Sequence, residues 1–331
     1  MTTAWPHSLR AYLVARIPFV WGASFLGLAI PSLSPLASNA TLAWITDLAV
    51  HWQWQYTLMA MSLALVYALL TRGRLAVGML AVTAALVGVN FKLLSLQALP
   101  GDPSAQSNQS DQKSQNVRND PILSIASFNI NLDNMVAPGF EAWVQANGPD
   151  ILVILEATPE HAPLLARLKA SYPHSISQLQ NDPFGMALLS RHTLMGAKVS
   201  QHQASTPYLE AGLNWAGKLI RVIAIHPMPP ISSADKVARD ALLVRVTQND
   251  SEPTLIVGDF NASPWALGMR DLNTTGFKRV SGLMPTQSLL GGLPIDHILA
   301  SESHWRTAQA GVAGSFGSDH RLVWGKLTLA P

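Results

Sequence analysis

An α/β domain carried behind a small group of apolar helices is the architecture this sequence predicts, and three observations predict it. Residues 1–100 contain three long apolar stretches with few charges. Residues 101–120 form a polar tract, and from 121 onward strand-like apolar runs alternate with helix-like amphipathic segments.

The apolar part comes first. The chain has 331 residues, 48% of them hydrophobic and only 13% charged, roughly half the charge of an ordinary soluble domain. The stretches are 12–30 (YLVARIPFVWGASFLGLAI), 48–70 (ending TLMAMSLALVYALL) and 75–91 (LAVGMLAVTAALVGVNF). Each approaches the ~20 residues that cross a bilayer. Arg16 and Pro18 intrude on the first, and the third has only Lys92 at its edge. A signal peptide accounts for the first stretch and leaves two more, while a buried soluble helix normally keeps a polar face, which 75–91 lacks. The reading is therefore three transmembrane helices. Arg10 precedes the first, Arg72 and Arg74 lie between the second and third, and 31–55 contains no Lys or Arg. The positive-inside rule then puts the N-terminus in the cytoplasm and the C-terminal domain on the outer side of the cytoplasmic membrane. Trp44, Trp52, Trp54 and Tyr56 cluster near the outer end of the second span, where they fit an interfacial aromatic belt and ordinary helix-packing aromatics equally well.

The tract GDPSAQSNQSDQKSQNVRND (101–120) has almost nothing to bury and reads as a flexible linker, one that spans ~25 Å as a coil. The division is thus a membrane region 1–100, a linker 101–120 and a C-terminal domain 121–331. The chain has no cysteine, so no disulfide framework supports that domain. Of 22 Lys and Arg, five lie before residue 101; of 20 Asp and Glu, only Asp47 does, which leaves 17 basic and 19 acidic residues beyond it. A net basic face for gripping a nucleic-acid backbone is not present at the level of net charge.

Strand-like runs occupy 122–130, 150–158, 185–191, 218–226, 253–261, 294–301 and 321–329. Helix-like segments occupy 139–148, 159–172 and 234–248. Almost every strand-like run ends in, or abuts, a residue able to bind a metal or a phosphate: Asn129, Glu156, His226, Asp259 with Asn261, Asp296, and the pair Asp319 and His320. Strand ends meet at one edge of a sheet, so these groups can share a pocket. Singly, each has an ordinary role as a cap or turn residue.

The stretch LIVGDFNASPW (255–265) sharpens the point, because a strand fit for a core runs directly into Asp259 and Asn261. A carboxylate carried inward costs several kcal/mol unless it is paired. In order, the chain shows SFN, DILVILEA, an apolar strand ending His-Pro, GDFN, DHI and SDHR. This series resembles the endonuclease/exonuclease/phosphatase superfamily, over about 121–331. The resemblance implies a deoxyribonuclease I-like four-layer α/β/β/α sandwich, two mixed sheets with helices outside.

It also implies a divalent-metal phosphoesterase using Mg²⁺ or Mn²⁺. Glu156 becomes the principal metal ligand, with Asn129 beside it and Asp319 near the metal. Asp259 and Asn261 orient water and the substrate phosphate, Asp296 partners His320, and His226 meets the phosphate or the leaving group. Hard cations take carboxylate, amide and water oxygens, which this set supplies. Hydrolysis of a phosphoester needs charge neutralised on the phosphoryl oxygens, a positioned water and a protonated leaving group. The general base is left open among these residues.

Three functions are open to such a chain. Tethering raises the effective concentration of membrane substrates, so a lipid-linked phosphate ester or pyrophosphate at the outer leaflet is the first reading; 282–294 (GLMPTQSLLGGLP) fits an ordinary surface loop first and a lipid-facing lip second. A nuclease acting on DNA or RNA is the second. A catalytically inactive membrane receptor or scaffold is the third, and the full set of polar positions argues against it.

Overall fold

The computed structural model describes residues 7–101, 121–203, 206–248 and 251–330. The chain forms two compact units, Met1–Leu96 with Trp265–Leu267, and Gln97–Pro264 with Gly268–Pro331.

The first unit is helical: α1 (His7–Leu33), α2 (Ala40–Val50), α3 (Gln53–Thr71) and α4 (Arg74–Ser95). Three helices, spanning Leu9–Leu36, Gln53–Thr71 and Arg74–Ser95, are long and apolar enough to cross a membrane. The second stretch departs from the expectation, because the chain breaks at His51 and Trp52 and residues 48–50 belong to α2. The break coincides with polar demands: Asn39 caps α2 by accepting from the Leu42 amide, and His51 lies 3.6 Å from Asp47. Buried amides then tie the helices together. Gln53 Nε2 donates to the Gly27 carbonyl, and Asn90 Nδ2 donates to both Gln53 Oε1 and the Leu28 carbonyl. Such bonds between apolar helices are worth about 1 kcal/mol each in a membrane.

The second unit holds two six-stranded sheets. In chain order its elements are β1 (Leu123–Asn129), α5 (Phe140–Asn147), β2 (Ile151–Leu155), α6 (Ala162–Leu168), β3 (His174–Gln178), β4 (Met186–Ser190), β5 (Leu194–Gln203) and β6 (Thr206–Trp215). There follow β7 (Lys218–Ile225), α7 (Ser233–Val246), β8 (Thr254–Asp259), β9 (Phe277–Arg279), β10 (Asp296–Ser301), β11 (Trp305–Val312) and β12 (Val323–Leu329). One sheet runs β11-β12-β1-β2-β4-β3 and the other β5-β6-β7-β8-β10-β9. Side chains such as Ile125, Val153, Leu188, Val222, Val257 and Ile298 fill the layer between the sheets. A second cluster packs α5 and α6 on the first sheet through Phe140, Val144, Leu164 and Leu168. On α7, Arg239, Leu242, Leu243 and Val246 are buried. This is the expected sandwich of two mixed sheets flanked by helices.

Five strands have no counterpart in the sequence reading: β3, β5, β6, β9 and β11. Four of them are the four sheet edges. An edge strand buries less of itself, so HSISQ in β3 alternates in burial and carries no apolar run.

Residues 97–100, read as part of the membrane region, and Gly101, read as the start of the linker, pair within the second unit. The Leu99 amide donates to the Arg279 carbonyl, the Arg279 amide to Gln97 O, and the Thr307 amide to Pro100 O. Leu99 is buried in the main core of that unit, and Gln97 Nε2 donates to the Pro264 carbonyl. The flexible-linker expectation, Gly101 apart, lies outside the described residues.

Candidate active site

The topology gathers the polar residues before any side chain is considered. β1 and β2 are parallel, with Asn129 opposite Leu155, so Asn129 and Glu156 leave the sheet side by side. β12 runs antiparallel to β1, and its first residue pairs with Ser127, which brings Asp319 and His320 to the same edge. In the other sheet β7 and β8 are parallel, and Ile225 faces Gly258, so His226 and Asp259 emerge together. β10 returns antiparallel with Asp296 directly opposite Asp259. Gly258 makes the approach possible: it has φ +149°, and a side chain there would collide with the Ile225 carbonyl oxygen.

Asn129 bridges the two sheets, donating from Nδ2 to Glu156 Oε1 at 2.9 Å and to Asp259 Oδ2 at 3.3 Å. The Leu132 amide donates to Glu156 Oε2 at 3.1 Å. His320 Nδ1 lies 2.9 Å from Asp296 Oδ2, and its Nε2 is 3.7 Å from Asp259 Oδ2. His226 Nε2 reaches the same Asp259 oxygen at 3.6 Å. Asp259 Oδ1 accepts from the Asn261 amide at 2.8 Å, and Asn261 Nδ2 donates to the Pro227 carbonyl at 3.0 Å. Asp319 Oδ1 accepts from Asn131 Nδ2 at 2.8 Å. All eight residues singled out from the sequence therefore stand in one contiguous network. Asn129, His226, Asp259, Asp296 and His320 form its buried floor, while Glu156 and Asn261 are half-buried and Asp319 is exposed.

Two backbone positions are held in the left-handed region, Glu156 at φ 56° and Asn261 at φ 48°. Asn tolerates this conformation and Glu does so rarely. A strain of about 1–3 kcal/mol persists only where surrounding bonds impose it, and here Asn129 and the Leu132 amide do so on Glu156.

The charges are unevenly compensated. Burial, then the neighbouring Asp296 carboxylate, push Asp259 up to about 6, against the pull of His320 and His226. For His320, burial alone would lower the imidazole, but Asp296 outweighs it, with Asp259 and Asp319 adding, and the group rises to about 10. Burial likewise opposes ionisation of Asp319, yet the Asn131 amide and His320 hold it below the usual carboxylate range. Among the described residues, no Lys or Arg forms a salt bridge with Glu156, Asp259, Asp296 or Asp319. With His320 against Asp296 and Asp259, four carboxylates so placed still offer the hard oxygen donors and the excess negative charge that suit a divalent cation.

Two groupings within this set fit a cation differently. By distance alone, Asp259, Asp296 and His320 offer ligand atoms within 4.8 Å of one another. An imidazole must be neutral to ligate a metal, and Asp296 already holds His320 as the imidazolium. Glu156, half-buried and accepting only from amides, and Asp319, exposed and accepting from the Asn131 and Gln287 amides and the Ser318 hydroxyl, could hold a cation on this chemistry.

Several contributors carry no sequence signal of their own. Phe184 places its ring 5.5 Å from that of His226. Thr286 Oγ1 accepts the Ile295 and Asp296 amides, and Ser318 donates to the Asn129 carbonyl while accepting from the His320 amide. Arg239, fully buried, donates Nη1 to the Asn261 carbonyl, although in the sequence it looks like any polar residue of an amphipathic helix. Asn131, following Asn129 in the NIN triplet, was the one such residue the pattern could have flagged.

Residues 126–320 match the model of the Endonuclease/Exonuclease/phosphatase family. The chain belongs to this family, whose members are metal-dependent hydrolases of phosphate ester bonds. Solved structures share the fold at low identity. D. rerio TDP2, complexed with single strand DNA product, is 15% identical with a TM-score of 0.55, covering 63% of this chain and 100% of its own. An endonuclease/exonuclease/phosphatase from Beutenbergia cavernae is 19% identical with a TM-score of 0.53, covering 63% of this chain and 72% of its own. The Neisseria 3' phosphatase NExo, bound to product DNA hairpin, is 18% identical with a TM-score of 0.51, covering 61% and 98%. Comparison with curated protein sequences finds no match.

Proposed function

We propose that this chain is a membrane-anchored, divalent-metal-dependent phosphoesterase that hydrolyses a phosphate ester or pyrophosphate bond of a lipid-linked substrate, at the outer face of the cytoplasmic membrane. The observation that carries the reading is covalent: the second unit begins at Gln97, and the last of the three span-length apolar helices ends at Ser95. So short a connection acts as a tether, and short tethers raise the effective concentration of a membrane substrate into the millimolar range. The balance of 17 basic to 19 acidic residues beyond residue 100 supports the same choice over a polyanion.

Glu156 and Asp319, with Asn129 beside Glu156, would hold Mg²⁺ or Mn²⁺, which when bound would neutralise charge on the phosphoryl oxygens. Asp259 orients the attacking water and takes its proton, a task suited to a carboxyl raised to about 6. Asp296 fixes His320 as an imidazolium that donates to a phosphoryl oxygen in the transition state. Asn261 positions the phosphate, and His226 meets the leaving group.

A second reading, cleavage of DNA or RNA, is favoured by the DNA products bound to the TDP2 and NExo relatives. A phosphate-release and diesterase screen of the detergent-solubilised full chain, with Mg²⁺ and Mn²⁺, separates the two. Turnover of a polyprenyl pyrophosphate or a phospholipid above that of DNA is the expected result; efficient cleavage of DNA alone replaces the lipid reading with the nuclease one.

A further inference from the structure

The mouth of the site is apolar, and its apolar groups point to a surface. Three loops frame the catalytic residues. Residues 131–138 hold Glu156 through the Leu132 amide and Asp319 through Asn131. Residues 227–231 follow His226 and hold Asn261 through the Pro227 carbonyl. Residues 282–292 reach Asp319 through the Ser288 amide, which donates to its carbonyl, and Gln287 bridges to His320. In the second unit, among the described residues, three large apolar side chains are more than 70% exposed: Val136 at 79%, Leu290 at 75% and Ile231 at 71%. One stands in each loop. Leu290 is also held at φ 42°, a conformation that costs a branched side chain free energy and keeps an apolar group at a loop tip in water.

Scattered single apolar residues are ordinary on a protein surface, but a cluster around a functional site marks an interaction surface. The three loops contain no Lys or Arg, and Asp133 is their only charge. A nucleic-acid backbone demands cations in such positions, whereas a bilayer accepts apolar tips. We infer that these loops form a lipid-docking surface, seating Val136, Ile231 and Leu290 in the bilayer interface beside the phosphate being hydrolysed. The inference rests on the lipid-linked substrate proposed above, and the continuity of the catalytic unit with the apolar helices supplies the occupant.

The chain has no cysteine, so single cysteines introduced into the full chain at Val136, Ile231 or Leu290 carry one environment-sensitive dye each. Leu219 and Val244, exposed on other elements, serve as controls. After reconstitution into phosphatidylcholine vesicles containing doxyl-labelled phosphatidylcholine, the three mouth positions should shift to the blue and be quenched, and the controls should stay as in water. The combined Val136→Ser, Ile231→Ser, Leu290→Ser variant should keep its turnover of a soluble phosphoester and lose roughly tenfold in turnover of a bilayer-embedded one, the factor that about 1.4 kcal/mol of lost burial gives. Water-like dyes at all three positions overturn the docking surface even if a lipid pyrophosphate is hydrolysed. Lipid-buried dyes in a protein that cleaves only DNA leave the surface standing and overturn the substrate reading instead.

Discussion

Releasing the catalytic unit from its helices requires a choice of cut, and the strap at 97–101 makes the choice measurable. A fragment beginning at Pro121 loses Leu99 from the core, the three backbone hydrogen bonds to Arg279 and Thr307, and the Gln97 side-chain bond to Pro264. Burying one leucine is worth about 2 kcal/mol, and four hydrogen bonds add about 1 kcal/mol each. Fixing the five residues that make them costs about 1 kcal/mol apiece at the low end. The deletion opens the Arg279 amide on the edge strand to water, so the net loss is about 1 kcal/mol. For a unit of this size that lowers Tm by about 2–4 °C. Thermal unfolding by circular dichroism, on fragments beginning at Gln97 and at Pro121, reads the difference directly. Equal midpoints, or a Leu99→Ala full chain with undiminished stability, would mean that the strap adds nothing to the unit.

The remaining expectations concern charge and topology. His297 is fully buried, with Nε2 donating to the Ala262 carbonyl and Nδ1 facing Ser281 Oγ; burial, then Arg279, depress it to about 4. Its folded value lies below the unfolded 6.5, so its contribution is complete above 6.5 and is lost as pH falls toward 4, amounting to about 3 kcal/mol. The urea midpoint should therefore drop from pH 7.5 to pH 5 more steeply than in His297→Asn, and parallel slopes would count against this. Asp296→Asn removes the carboxylate that keeps His320 charged, so kcat should fall roughly 10²–10³-fold and the alkaline edge of the pH profile should move to lower pH; an unmoved edge contradicts the role. An alkaline-phosphatase reporter fused after Gln115 should be active if the catalytic unit lies outside, and an inactive one reverses the orientation.

The parts legible in the sequence were those where burial is continuous. β1, β2, β4, β8 and β10 announce themselves because nearly every residue is buried, and β7 and β12 because apolar residues recur along strands buried for part of their length; the ends of these strands carry the whole polar set from Asn129 to His320. β3, β5, β9 and β11 stayed hidden because an edge strand such as HSISQ needs no apolar run. The strap at 97–101 stayed hidden for a different reason: Leu99 continues the apolar composition of the preceding helix, and only its pairing with Arg279 assigns it elsewhere. Arg239 and Thr286 shape the site through backbone contacts, which leave no trace in residue type.

The proposed chemistry depends on Glu156 as the anchor of a divalent cation. Phosphate release by the solubilised full chain, followed against free Mg²⁺ for the unaltered protein and for Glu156→Gln, tests this most directly. Activity should be lost in chelator, return saturably with Mg²⁺, and be absent at low Mg²⁺ in a Glu156→Gln protein whose thermal unfolding is unchanged. Near-normal turnover of that variant at low Mg²⁺, or full activity in chelator, would contradict it.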